Sequence, residues 1–206
     1  MPALFARLVA HADQTDLQLM PNRLRYAYTG TAPLDLSLRQ NVERVLGVVL
    51  HNGYGLTETS PTISRTLYAV GSNEVNIGTP IPGVEIKIVG SDGCEIMDGS
   101  PGELHVRGPN VMLGYFRQPE LTEAVIDKDG YLNTGDIVSV NSKQEMVVQG
   151  RTKELIIRSG FNVYPPEIEA ALNTHPAVLN SAVVGRSIEG NEEIVAFVEP
   201  VPGCHI

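Results

Sequence analysis

The sequence predicts a mixed fold: an α/β segment, then a small antiparallel β unit of half-open or barrel-like form, then the start of a small α+β domain. Three observations carry this. Helical apolar spacing alternates with short strands up to about residue 78. Apolar residues then recur at every second position within 79–150. After Gly150-Arg151 the pattern restarts as strand, helix, strand, strand. A domain boundary is therefore expected near residue 151, dividing the chain into 1–150 (an α/β part, 1–78, and a β unit, 79–150) and 151–206.

Each element has its own signal. Leu4, Phe5, Leu8, Val9 and Ala12 fall on one face of a helix over 2–13. Residues 24–28 read as a short strand, followed by a turn at 30–33. Leu38, Val42, Val45 and Leu46 share a helical face, and Gly47 stops the helix predicted over 35–46. A buried strand over 48–51 runs into a loop over 52–61. This strand–helix–strand–loop order suggests an open α/β sheet, whose ligands collect at the carboxyl ends of strands. In the middle, Val84, Ile86 and Ile88 alternate with Glu85 and Lys87, and Leu104 and Val106 with Glu103, His105 and Arg107. Strands over 137–140 and 146–149 flank a polar turn at 141–145. Past the boundary, 155–158 reads as a strand. Pro165-Pro166 opens a helix with acid in its first turn, ended by His175-Pro176. Strands at 182–184 and 194–198 follow.

Composition narrows the function. The chain has 206 residues, 42% hydrophobic and 19% charged, as globular proteins do. Its formal net charge is −9. That excludes a non-specific nucleic-acid binder and a basic membrane-surface anchor, while leaving room for a small anionic ligand in a local pocket. Cys94 and Cys204 are its only cysteines; they make neither a Cys-based zinc site nor a disulfide framework, which fits a reducing cytoplasm. The longest apolar run, near 45–50, falls far short of the ~20 residues of a membrane span. Arg7, His11 and Asp13 break the amino-terminal apolar stretch, unlike a signal peptide.

Four segments have the chemistry of a nucleotide site. In Asn52-Gly53-Tyr54-Gly55-Leu56-Thr57-Glu58-Thr59, glycine lets backbone approach a ligand and Tyr54 offers a face to a planar base. Thr57 can donate to phosphate, and Glu58 is a hard oxygen ligand suited to Mg2+. The plain alternative is a turn with a surface glutamate. In Thr134-Gly135-Asp136, a carboxylate can accept from two vicinal hydroxyls, as on a ribose; the alternative is an Asx turn. In Gly150-Arg151-Thr152-Lys153-Glu154, Arg151 carries a fork of donors, and Lys153 stands at the suspected joint, unless both sit in a solvated turn. Ser159-Gly160 begins a run, Ser159-Gly160-Phe161-Asn162-Val163-Tyr164-Pro165-Pro166-Glu167, that reads equally as a strand–loop–helix connection.

In order and spacing, these segments strongly resemble the adenylate-forming superfamily: acyl-CoA synthetases, firefly-type luciferases and the adenylation domains of peptide synthetases. Gly30-Thr31-Ala32-Pro33-Leu34, Gly78-Thr79-Pro80 and Gly102-Glu103-Leu104 fit as well, so the resemblance runs from about residue 20 to 200. It implies an enzyme using ATP and Mg2+ to convert a carboxylate to an acyl-adenylate, which a thiol such as CoA converts to a thioester. By the match, Thr31, Ala32 and Pro33 with Asn52, Gly53 and Tyr54 hold adenine, within the Gly53-Tyr54-Gly55 turn. Thr57 binds the α-phosphate and Glu58 the magnesium. Asp136 and Arg151 hold the ribose, Lys153 is the hinge, and Ser159 and Gly160 line the thiol's path. Phe161-Asn162-Val163-Tyr164-Pro165 with Gly114-Tyr115-Phe116 looks most like bacterial fatty-acid–CoA ligases, and Gly53 is expected to leave room for an acyl chain.

Two expected features are missing from the sequence. It has no Ser/Thr/Gly-rich phosphate loop ending in Lys, and Lys153 is its last lysine. The expectation is thus a fragment, namely the end of a large AMP-binding domain and the start of a truncated small one, with little turnover alone. A carrier-protein loader, a luciferase-like enzyme and a non-catalytic nucleotide-binding module are the alternatives.

Overall fold

In the computed structural model, the described residues are 1–17, 19–20, 23–32 and 34–204. Helix α1 (Pro2–Thr15) starts on a proline, whose missing N–H costs nothing at a helix start. Helix α2 (Leu36–Leu46) is capped by Asp35, whose carboxylate accepts from the Leu38 N–H at 3.0 Å. It ends on Gly47 in the left-handed region, φ 67°. Phe5, Leu8, Val9 and Ala12 of α1 pack with Val42, Val45 and Leu46 of α2 in one core. That core also covers strands β1 (Ala27–Gly30) and β2 (Leu50–Tyr54), through Ala27 and Leu50.

Strands β1 and β2 are parallel with α2 as crossover, as the α/β reading expects. Both strands begin and end later than predicted. The ladder pairs Thr29 with Asn52 and Gly30 with Gly53, so pairing carries β2 through residues that alone read as loop. The two-residue strands β3 (Ser64–Arg65) and β4 (Thr79–Pro80) extend the sheet antiparallel, in the order β1-β2-β3-β4.

The middle segment is a four-stranded antiparallel meander: β5 (Glu85–Val89), β6 (Gly102–Arg107), β7 (Leu132–Val140) and β8 (Met146–Arg151). It is open, with β5 and β8 as edges. The barrel-like form is therefore corrected to a half-open sheet; four strands are far fewer than the eight or so that close around a side-chain core. Ile88, Leu104, Val106, Val138 and Met146 form its buried face, and Ile63 and Ile77 join them from the β2–β4 region, with Tyr54 and Leu56 packed alongside. The Ile77 N–H donates to the Met146 carbonyl at 2.8 Å, and the Met146 N–H to the Gly78 carbonyl at 2.9 Å. The end of β2 and the meander thus share one core. Helix α3 (Pro119–Val125), which the sequence reading did not place, lies in the long β6–β7 connection.

After β8 comes a 3₁₀ turn, Thr152–Glu154. Strand β9 (Ile156–Arg158), as expected, pairs with β10 (Phe161–Val163), which lies where a loop was expected, in a tight hairpin. Helix α4 (Pro165–Leu172) packs on the long hairpin of β11 (Val178–Ile188) and β12 (Asn191–Pro200), with the Glu169 carboxylate accepting from the Val183 N–H. Among the described residues, no helix is long and apolar enough to cross a membrane.

Candidate functional site

The site begins where β2 leaves the sheet. Tyr54, packed against the shared core, donates its hydroxyl to Asp136 Oδ2 at 2.5 Å. Burial, then the charge of Asp136, pushes the Tyr54 hydroxyl far above the ordinary tyrosine range, so it stays protonated and donating.

A bulge aims Asp136. Along β6 and β7, Glu103 pairs with Ile137 and His105 with Asn133, so Thr134, Gly135 and Asp136 together oppose Leu104 alone. The bulge is fully bonded. Thr134 Oγ1 donates to the Leu104 carbonyl at 2.8 Å and accepts from the Asp136 N–H at 3.2 Å. Asn133 Oδ1 accepts from the Gly135 N–H at 2.8 Å, and Gly135 has φ 71°. The Asx turn weighed in the sequence is present, on Asn133, immediately ahead of the Asp136 carboxylate.

Asp136 is also the direct cross-strand partner of Arg151. Arg151 Nε donates to Asp136 Oδ1 at 3.0 Å, with the Asp136 side chain 7% exposed and that of Arg151 56% exposed. This bond, then the Asp136 charge, holds the guanidinium above its ordinary value. Each carboxylate oxygen has one protein donor and can accept from another group. The Arg151 side chain is otherwise largely exposed.

Arg151, Gly135, Glu58 and Lys153 line one cleft of about 440 Å³, with Glu103 and Tyr115 on its wall. That is within the ~300–1,000 Å³ of ordinary ligand pockets. Glu58 and Thr57 sit in the 3₁₀ turn Thr57–Thr59. The turn is pinned by the fully buried Thr59, whose hydroxyl accepts from the Leu56 N–H at 3.0 Å. The Glu58 carbonyl accepts from the Met112 N–H at 2.7 Å, and its carboxylate from the Tyr115 hydroxyl at 2.9 Å. Thr57 is exposed at the turn's start.

Other expected residues stand apart from this cleft. Asn52 is buried; its amide donates to the Asn76 carbonyl and its backbone is bonded to Thr66. Its Oδ1 and the neighbouring Thr29 Oγ1 are buried without a hydrogen-bond partner among the described residues. The room expected over Gly53 is filled: a Cβ there would meet the Tyr28 hydroxyl at 1.3 Å. Gly55 is small for packing, since a Cβ would meet the Pro61 carbonyl at 1.7 Å. Thr31 and Ala32 are exposed beyond β1, with Thr31 at φ 74°; Pro33 lies outside the described residues. Ser159 and Gly160, φ 51° and 82°, are the two turn residues of the β9–β10 hairpin. The Ser159 N–H donates to Asn191 Oδ1 at 2.8 Å, toward the β11–β12 turn rather than the cleft.

Sequence reasoning gave Thr59, Thr134 and Tyr115 no role. Each stood inside a quoted motif: Thr59 at the end of 52–59, Thr134 in Thr134-Gly135-Asp136 and Tyr115 in Gly114-Tyr115-Phe116.

For magnesium, Glu58 shares the cleft wall with Glu103 and Glu154, but the described residues hold no group of three or more His, Cys, Asp or Glu that could bind a metal. Mg2+ usually takes one or two carboxylates plus substrate phosphates. Glu58 at the cleft wall fits that use and no all-protein cage.

The chain matches the family model described as AMP-binding enzyme over residues 1–116, and that of the AMP-binding enzyme C-terminal domain over 167–205. A long-chain-fatty-acid–CoA ligase of Yersinia pestis is 39% identical over 192 residues, covering 93% of this chain and 34% of the relative. 4-Coumarate–CoA ligase 1 of Oryza sativa subsp. japonica is 38% identical over 191 residues, covering 89% and 34%. The crystal structure of ATP-bound MatB from Rhodopseudomonas palustris superposes with a TM-score of 0.88 at 31% identity, covering 100% of this chain and 41% of that one. The chain spans about a third of the length of the curated relatives it matches. With the matched models and the Tyr54–Asp136–Arg151 cluster, the chain belongs to the AMP-binding enzyme family.

Proposed function

We propose that this chain supplies the ribose and phosphate side of the active site, and the hinge, of an ATP-dependent acid–CoA ligase acting on a fatty acid. The observation that carries this reading is the Tyr54–Asp136–Arg151 cluster beside a cleft shared with Glu58 and Lys153.

Asp136 accepts from the two vicinal ribose hydroxyls, while Arg151 donates to ribose and phosphate oxygens. Arg151 also fixes the Asp136 carboxylate, and Tyr54 fixes it from behind. Thr57 donates to the α-phosphate. In the first half-reaction an oxygen of the acid attacks the α-phosphorus in line and pyrophosphate leaves. Catalysis of such a step is mostly positioning and stabilisation of charge. Glu58 would hold magnesium against the phosphates; when bound, it neutralises charge growing on their oxygens. In the second half-reaction the CoA sulfur attacks the acyl carbon and AMP leaves. Lys153, in the exposed 3₁₀ turn between β8 and β9, is the joint about which residues 151–206 turn between steps. Ser159 and Gly160 would reach the thiol's path only after that rotation. Thr31 and Ala32, at the carboxyl end of β1, lie against adenine, with Asn52 and Gly53 supporting them from the paired end of β2; Pro33 joins them by the resemblance alone.

The fatty-acid assignment rests on the similarity to long-chain-fatty-acid–CoA ligases. The free, exposed cysteines Cys94 and Cys204 suit a cytoplasmic setting.

Calorimetric titration of the 206-residue chain with AMP tests the reading. Binding that is lost in Asp136→Ala supports it. No AMP binding by the unaltered chain, under conditions where it is folded, would sink it.

A further inference from the structure

The connection between β6 and β7 carries an arm, 108–118, laid along the loop that presents Glu58. It is fastened at three points. Asn110 Nδ2 donates to the Thr62 carbonyl at 2.8 Å. The Met112 N–H donates to the Glu58 carbonyl at 2.7 Å. The Tyr115 hydroxyl donates to Glu58 Oε1 at 2.9 Å. The first two bonds fix backbone; only the third reaches the carboxylate.

Tyr115 is itself braced. Its N–H donates to Thr122 Oγ1 at 2.9 Å, and that hydroxyl donates to the Gln118 carbonyl at 3.0 Å. Gly114 makes the approach possible: it has φ 144°, and a Cβ there would meet the Thr122 side chain at 2.8 Å. A bond chain thus runs from α3 through Thr122 and Tyr115 to Glu58. Among the described residues, the Tyr115 hydroxyl is the side-chain donor to the Glu58 carboxylate. A half-buried glutamate has several rotamers available, so a single well-placed donor selects among them. The bond takes Oε1 and leaves Oε2 available to another group.

We propose that Tyr115 is a positioning residue that holds the Glu58 carboxylate in the orientation used toward a magnesium ion carried by nucleotide phosphates. This rests on the assignment of Glu58 to the metal, and extends it to Tyr115, a second residue of the same cleft wall. The Gly114-Tyr115 pair then has a physical reason: glycine for the contact with α3, tyrosine for the reach to Glu58.

The test uses the 206-residue chain and Mn2+ as a paramagnetic substitute for Mg2+. ATP binding is measured by calorimetry in excess EDTA, and Mn·ATP binding by electron paramagnetic resonance. Tyr115→Phe should weaken Mn·ATP binding at least fivefold while leaving metal-free ATP binding within twofold of the unaltered chain. Glu58→Gln should behave likewise, and the double variant should be no worse than Glu58→Gln alone. Equal Mn·ATP affinity for Tyr115→Phe and the unaltered chain would overturn the proposal. So would an equal loss with and without metal, which marks a merely structural tyrosine. Absence of ATP binding by the unaltered chain in EDTA would instead overturn the functional reading, and the proposal with it.

Discussion

Asp136 and Thr31 belong to opposite sides of the proposed nucleotide site, and the two sides are held differently. Asp136 is 5% exposed, lies on a strand, and has a protein donor on each oxygen. Thr31 is exposed, follows the end of β1, sits at φ 74° and makes no side-chain hydrogen bond among the described residues. The ribose side is set by strand register: once β6, β7 and β8 pair, Asp136 meets Arg151, and the shared core brings up Tyr54. The adenine side is set by a turn, with a β-branched residue in a region it rarely occupies. Preorganisation is concentrated where the sheet does the positioning, and strain where a loop does it.

Asp136→Ala should give the largest effect on this contrast. It leaves the Tyr54 hydroxyl buried without an acceptor and frees Arg151. The expected cost is about 2 kcal/mol of stability by urea unfolding, with AMP affinity falling more than tenfold by calorimetry. A loss of stability with full AMP affinity would mean that the cluster is only structural.

Gly135→Ala probes the bulge that aims Asp136. A Cβ there meets nothing within 4 Å, so the substitution tests φ 71° alone. The expected cost is about 1 kcal/mol, with AMP affinity reduced severalfold. Unchanged affinity would show that the carboxylate does not depend on the bulge.

Thr31→Gly probes the other side and should have the opposite sign on stability. Glycine relieves the left-handed conformation but enlarges the unfolded ensemble, leaving a net gain of no more than about 1 kcal/mol. AMP affinity should change less than threefold. A stability loss would contradict the strain assigned to this turn.

Asp35, the cap of α2, should give the smallest effect. Burial acts to raise its pKa, but the Ser37 hydroxyl and the Leu38 and Ser37 N–H groups outweigh it and hold the carboxyl below its ordinary value. A depressed folded pKa means that the charged form stabilises the fold above the unfolded-state pKa of about 3.9. That contribution disappears as pH falls through the lower, folded value. Asp35→Asn should therefore cost about 0.5 kcal/mol at pH 7, and the difference from the unaltered chain should vanish near pH 2 in urea titrations. A difference independent of pH would remove charge from the explanation.

The same contrast separates what was legible in the sequence from what was not. Strands β5 and β6 were plain because Ile86, Ile88, Leu104 and Val106 alternate with polar neighbours over a one-sided core. Helix α2 was plain from its apolar spacing, its Asp35 cap and its Gly47 stop. Strands β3, β4 and β10 were not, because two or three residues form a strand only by the partner they find. Helix α3 buries none of its residues and so writes no apolar stripe. Within the site, Tyr54, Asp136 and Arg151 were each readable as residue types suited to a nucleotide, and the resemblance grouped them. Their mutual bonding was not readable, since it depends on the β7–β8 register and on the bulge at Thr134. Tyr28 filling the space over Gly53 belongs to the same class: it follows from the β1–β2 pairing, not from either segment alone.

The central claim is that Asp136, held by Tyr54 and Arg151, grips a vicinal diol. The most direct measurement titrates AMP and 2′,3′-dideoxy-AMP into the unaltered chain and into Asp136→Ala. The dideoxy compound should bind the unaltered chain at least tenfold more weakly than AMP, and the two should bind Asp136→Ala alike. Equal affinity of both nucleotides for the unaltered chain would contradict the claim.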